Sequence, residues 1–163
     1  MKTNIILVGM PGCGKTTIGQ MIAKRLDYDF CDLDEYIVEK ENMSIDKMFE
    51  KGEDYFRDIE SSGVRDIIKM KETVISTGGG VIKRHENIEI LQKNGFIIFI
   101  DRPIENIISD VDTDSRPLLK EGKDRLYKLL DERYDLYQEC CNIEVINDCE
   151  LDVLIDKIVR LIS

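Results

Sequence analysis

Positive charge is scarce in this chain. Lys and Arg number 23 against 33 Asp and Glu, for a formal charge of −10. An acidic surface repels phosphate backbones and anionic lipid, which excludes nucleic acid and membrane surfaces as general partners. Any anionic ligand must therefore meet cations placed locally for it. The five cysteines include no CxxC pair, which excludes zinc-ribbon and thioredoxin-type motifs. Their odd number, with no recognisable leader ahead of them, predicts reduced thiols inside the cell. No stretch approaches the ~18 apolar residues of a membrane helix, so the chain reads as a soluble cytoplasmic protein. Only three prolines occur, and no Pro-rich linker or internal repeat divides the chain. The single histidine, His85, stands beside Lys83 and Arg84, a polar setting that reads as surface rather than catalysis.

What is present suits one domain. The chain has 163 residues, of which 42% are hydrophobic and 34% charged, a globular composition. A domain of this size buries roughly 70% of its unfolded surface and needs no disulfide or metal staple. Short apolar runs alternate with longer amphipathic segments. Strands are predicted at 5–8, 28–33, 73–76, 96–100 and 143–146. Helices are predicted at 16–26, 35–40, 45–49, 53–70, 85–94, 123–140 and 150–162. Ser44 reads as an N-cap, Gly95 as a helix-ending C′ residue and Pro103 as part of a helix's first turn. Leu151, Leu154, Ile155 and Ile158 read as core, and 111–122 as a polar, irregular connection. Alternating β and α elements predict a parallel sheet covered on both faces, a three-layer αβα sandwich.

The strongest motif lies between the first strand and the first helix. Gly9-Met10-Pro11-Gly12-Cys13-Gly14-Lys15-Thr16 fits the phosphate-binding pattern GxxxxGK[ST] in its proper context. Glycines let backbone N–H groups converge into an anion nest at a helix N-terminus. Gly12, Cys13, Gly14, Lys15, Thr16 and Thr17 are the predicted nucleotide-binding set. Lys15 would reach the β- and γ-phosphates, and the Thr16 hydroxyl would bind Mg²⁺. A thiol at a helix N-terminus can ionise easily, so Cys13 is expected to react with thiol reagents and to be protected by ATP.

The acceptor side is sketched by weaker signals. Asp32 and Asp34, two apart in an extended segment, would point to one side, one toward Mg²⁺ and the other toward an attacking hydroxyl. Gly78-Gly79-Gly80 follows the third strand, where a substrate can approach main-chain N–H groups. Arg57 and Arg133 offer guanidinium forks that match a carboxylate, with Glu60 one turn from Arg57 to hold it. Phe49 and Phe56 read as apolar walls. Arg116, within 112–122, reads as a lid arginine that closes on phosphates.

Taken together, GMPGCGKTT, FCDLDEYI, FRDIE, STGGG, RPLL and ERYDLY resemble the shikimate kinases in order and interval, from Asn4 to about Ile146. The resemblance implies the P-loop nucleoside monophosphate kinase-like fold, with a five-stranded parallel sheet in the order 2-3-1-4-5. It also implies a substrate-binding helical segment at about 33–61 and a lid at about 112–122. It implies transfer of the γ-phosphoryl of ATP to the 3-hydroxyl of shikimate, on the route to chorismate, by a monomer that requires Mg²⁺. In that reading Asp34 is the base, with Lys15 and Arg116 completing the catalytic set. Arg57 and Arg133 clamp the shikimate carboxylate, and Gly79 and Gly80 present the main chain. Asp32 and Thr16 serve Mg²⁺.

Three departures stand out. No basic residue occurs at 108–112, ahead of the lid arginine, where the family usually has one. Asp135 stands where proline is common, which could disturb Arg133. Cys13 replaces a residue that is often Ser or Ala. The competing readings are a gluconate-type sugar-acid kinase, a nucleoside monophosphate kinase and a nucleotide-binding regulator without catalysis.

Overall fold

The apolar run Ile5-Ile6-Leu7-Val8 lies in strand β1 (Asn4–Val8), which is buried along its whole length. That is the fate of a strand covered on both faces. In the computed structural model the described residues are 3–113 and 120–163, with side chains described for 3–110 and 122–163. The strands β1, β2 (Asp29–Asp32), β3 (Thr73–Ser76), β4 (Gly95–Asp101) and β5 (Ile143–Ile146) form one parallel sheet in the order β2-β3-β1-β4-β5. This matches the order expected from the resemblance.

The helices are α1 (Lys15–Leu26), α2 (Leu33–Glu41), α3 (Ile45–Glu50), α4 (Glu53–Ile67), α5 (His85–Asn94), α6 (Ile104–Thr113), α7 (Lys120–Cys140) and α8 (Leu151–Ile162), with one 3₁₀ turn at Val81–Lys83. Helices α1 and α8 pack together on one face of the sheet. Helices α4, α5 and α7 are linked on the other through direct contacts and the 3₁₀ turn. Right-handed crossovers require this division. The core runs from Ile18 and Ile22 on α1, and Leu154, Ile155 and Ile158 on α8, through β1 and Ile97–Ile100, to Val64 and Ile67 on α4.

Several local expectations change. Helix α4 ends at Ile67 rather than Met70. Leu151 is exposed, because the apolar face of α8 begins only at Leu154. Gly95 is not a left-handed helix cap. It is extended, with φ −167°, and opens β4 directly after α5. A Cβ there would lie 2.5 Å from Ile6 Cδ1 and 3.1 Å from the Asn4 carbonyl, so close strand approach explains the glycine. Pro103 stands just ahead of α6, and its carbonyl accepts from the N–H of Asn106 at 3.0 Å. The connection expected to be irregular over 111–122 is helical up to Thr113 and again from Lys120. Ser44 caps α3 as expected, accepting from the Lys47 N–H.

Candidate active site

The C-terminal edge of β1 turns into the phosphate loop, and the loop's conformation explains its glycines. Gly12 and Gly14 have φ of 81° and 99°, a region that side chains disfavour. Lys15 opens α1 and is nearly buried. Its Nζ donates to the carbonyls of Gly9 at 2.8 Å and Met10 at 3.0 Å, and lies 3.6 Å from Cys13 Sγ. Cys13 is fully buried beneath the loop. The thiol expected to react with reagents is therefore shielded, because the loop's own curvature turns this side chain inward, against Gly9.

Asp32 closes β2 and caps α2. Its Oδ1 accepts from the N–H groups of Asp34 and Glu35, at 2.9 and 3.2 Å. Its Oδ2 accepts from Thr16 Oγ1 at 3.0 Å. The two aspartates do not share one face of a strand, as their spacing predicted. The chain changes from strand to helix at Leu33, so Asp34 belongs to the first turn of α2. This switch sends Asp32 to the phosphate loop and Asp34 into a neighbouring cleft.

That cleft, about 420 Å³, gathers Asp34, Phe49, Phe56, Arg57, Glu60, Gly78, Gly79, Gly80 and Arg133 beside Pro11 of the loop. Arg57 and Arg133 are only 7% and 8% exposed. Glu60, fully buried, accepts from Arg57 Nη1 at 2.8 Å, and Glu53 lies 3.5 Å from Arg57 Nε. The expected Arg57–Glu60 pairing is thus present, and as a buried pair. Phe49 and Phe56 stack with ring centroids 4.4 Å apart, and the Arg57 guanidinium lies over both. Phe56 is buried while Phe49 stays partly open.

The three glycines make room for charged side chains. None of them has positive φ. A Cβ on Gly78 would lie 3.1 Å from Asp34 Oδ1 and 3.3 Å from Glu60 Oε2. On Gly79 it would meet Pro11 at 2.8 Å and Arg133 Nη1 at 3.3 Å, and on Gly80 it would overlap Arg57. Close approach, not turn geometry, is what these positions require. Among the described residues, Asp34 Oδ1 and Glu60 Oε2 are buried without a hydrogen-bond partner. Burial, then the charge of Asp32, raises the Asp34 pKa against the opposing pull of Lys15 and Arg57. Burial likewise raises that of Glu60, against Arg57.

Asp135 is exposed on the unbroken α7, while Arg133, two positions earlier, is buried and lines the cleft. Arg116 lies outside the described residues. His85 is exposed, 3.1 Å from Glu89.

A second cleft continues from Gly14 and Thr17 to Asn147, Asp148 and Cys149. Its one cation among the described lining residues is Arg102, which the sequence reading passed over. Arg102 donates to the Gly12 carbonyl at 2.9 Å and pairs with Asp110 at 2.6 Å. Its position just past the C-terminal end of β4 was the available signal, since ligands gather at that edge of such sheets. Asn147 Nδ2 donates to the Cys13 carbonyl at 2.9 Å. Tyr137, which closes the ERYDLY motif but was given no role, donates to the Gly79 carbonyl at 2.5 Å. Its place one helical turn after Arg133 was its signal.

Thr16 and Asp32 offer hard oxygen donors beside the anion nest, a set that fits Mg²⁺, which keeps several waters and phosphate oxygens of its own. Among the described residues no helix is long and apolar enough to cross a membrane.

The shikimate kinase family model matches residues 11–163. The chain is 53% identical over 162 residues to a shikimate kinase of Clostridium botulinum (strain Alaska E43 / Type E3), covering 99% of this chain and 98% of that protein. It is 47% identical to that of Clostridium beijerinckii, covering 99% of this chain and 96% of that protein. The structure of shikimate kinase from Acinetobacter baumannii in complex with shikimate superposes with a TM-score of 0.92 at 33% identity, covering 99% of this chain and 93% of that one. A phosphate loop beside a cleft of paired arginines, glycines and an aspartate agrees with these matches, and the chain belongs to the shikimate kinase family.

Proposed function

We propose that the protein transfers the γ-phosphoryl of ATP to the 3-hydroxyl of shikimate, giving shikimate 3-phosphate and ADP. The observation that carries this reading is the placing of two nearly buried guanidinium groups, Arg57 and Arg133, around Gly79 and Gly80 in the cleft that also holds Asp34. A carboxylate-bearing polyol suits that cleft. The arginine forks take the carboxylate, and Asp34 takes ring hydroxyls.

Charge supports the division of labour. The protein carries a formal charge of −10, yet its cations converge where anions would sit. Arg57 and Arg133 serve the acceptor, Lys15 the β/γ-phosphates and Arg102 the outer nucleotide cleft. Asp34 orients the attacking hydroxyl and takes its proton late, a role typically worth about 10²- to 10⁴-fold. Loop N–H groups and Lys15 stabilise the charge that develops on the transferred group. Arg116 is assigned to closure over the phosphates. Mg²⁺, when bound, neutralises phosphate charge, with Thr16 and Asp32 as its protein-side holders.

An ADP-release assay with Mg-ATP and, in parallel, shikimate, gluconate or AMP tests the reading. Turnover with shikimate alone is expected. Turnover with gluconate or AMP instead would replace the acceptor, and ATP binding without turnover would favour the non-catalytic regulator.

A further inference from the structure

We propose that the buried hydroxyl of Tyr137 is a positioning group that ties the Gly78–Gly80 turn to the Arg133 clamp, so that one phenol sets both walls of the acceptor cleft. The inference rests on the reading of that cleft as the shikimate site.

Tyr137 is completely buried, and its hydroxyl donates to the Gly79 carbonyl, 58 residues away in the chain. A phenol buried this deeply needs a partner, and here the partner is the backbone of the turn that presents the acceptor. The second connection is Arg133, one helical turn earlier on α7. Its Nη1 is 3.3 Å from where a Gly79 Cβ would stand. Phenol and guanidinium therefore meet at the same glycine, joining α7 to the loop after β3.

The geometry depends on an uninterrupted helix. Residues i and i+4 lie over one another only while the helical repeat is kept. Proline at 135 would remove a backbone donor and crowd the preceding turn. Asp135 keeps α7 continuous through Lys120–Cys140, which aligns Arg133 with Tyr137. The ring of Tyr137 is fixed separately, 5.1 Å from the Phe99 ring. The hydroxyl can thus be deleted while the ring stays packed.

Removing it leaves the Gly79 carbonyl without its phenol donor, at the glycine against which Arg133 packs. The turn and the clamp then lose their common reference, and the loss falls on the acceptor. The test is steady-state kinetics of the full chain with Tyr137→Phe, and with Arg133→Lys as a control on the site itself. Tyr137→Phe is expected to raise the KM for shikimate about tenfold, the scale of one buried hydrogen bond and its orphaned acceptor. The KM for Mg-ATP should stay within twofold and kcat should fall by less than the acceptor KM rises. Arg133→Lys should raise the same KM, since an ammonium cannot replace a fork. An unchanged shikimate KM in Tyr137→Phe, with the expected rise in Arg133→Lys, would overturn the tie. Equal losses on both substrates would also overturn it, by reducing Tyr137 to packing. An unchanged shikimate KM in Arg133→Lys would instead overturn the reading of the cleft beneath it.

Discussion

Replacing Gly80 by Ala tests the steric logic of the acceptor cleft most directly. A Cβ at this position would stand 2.7 Å from the central carbon of the Arg57 guanidinium. Ordinary van der Waals contact begins near 3.4 Å and both terminal nitrogens lie nearer than this carbon, so the guanidinium must retreat by about 1 Å. It has little room to do so, being 7% exposed and bonded to the fully buried Glu60 at 2.8 Å. A retreat that breaks the pair leaves a buried carboxylate uncompensated, which costs about 3–5 kcal/mol. For a domain of this size each kcal/mol lowers Tm by roughly 2–4 °C. Thermal unfolding should therefore show a drop of at least about 6 °C. Misplacing a substrate-orienting group by about 1 Å can cost on the order of 10²-fold. A shift of that order should raise the shikimate KM by about 10-fold or more and leave that of Mg-ATP unchanged. A Tm within 2 °C of the parent, together with an unaltered shikimate KM, would refute the claim that the glycine exists to admit Arg57.

Asp34→Asn should lower kcat by at least about 10²-fold, and steady-state turnover near the parent value would remove Asp34 from its role as base. Glu60 makes a pH prediction. Its pKa is raised in the fold by burial, so the folded state holds its proton to higher pH than the unfolded one. The stability it contributes is complete below the ordinary glutamate value of about 4.3 and is lost as pH rises through the folded value. Tm measured from pH 4 to 8 should fall less steeply with pH in Glu60→Gln than in the parent, and parallel curves would contradict this. Arg102→Ala should raise the KM for Mg-ATP several-fold with little change in that for shikimate, and the opposite pattern would detach Arg102 from the nucleotide. A bulky maleimide should modify Cys13 far more slowly than the exposed Cys149, as intact-mass measurement after partial labelling and digestion will show.

The sheet was legible because each strand is a short apolar run bounded by turn chemistry, and because parallel order follows from alternation with helices. The phosphate loop was legible because its glycines are local requirements. The division of labour between Asp32 and Asp34 was not, since it depends on a strand-to-helix switch at one residue, set by Asp32 capping α2. Spacing alone gave an extended segment. Cys13 was misjudged for a related reason. Its position at a helix N-terminus is visible in sequence, but the direction of its side chain depends on the curvature of the preceding loop. Arg57 and Glu60 could be paired by helical spacing. That the pair is buried could not, because it packs against Gly78 and Gly80, on a loop well separated along the chain. Arg102 and Tyr137 are single polar residues whose partners, Gly12 and Gly79, are carbonyls on distant loops. Helical spacing sets Tyr137 beside Arg133 but does not mark the carbonyl it meets.

Asp32 spends one oxygen on the start of α2 and the other on Thr16 of the phosphate loop. The helix that carries Asp34 is thereby fastened to the element that would receive the nucleotide. A ligand that draws Thr16 or Asp32 toward itself also biases the orientation of α2, and a ligand that settles on Asp34 biases the phosphate loop in return. Such a bias is a coupling free energy, and for binding it is reciprocal. Whatever factor Mg-ATP applies to the affinity for shikimate, shikimate must apply to the affinity for Mg-ATP, and the Asp32 carboxylate is the group through which the two would be joined.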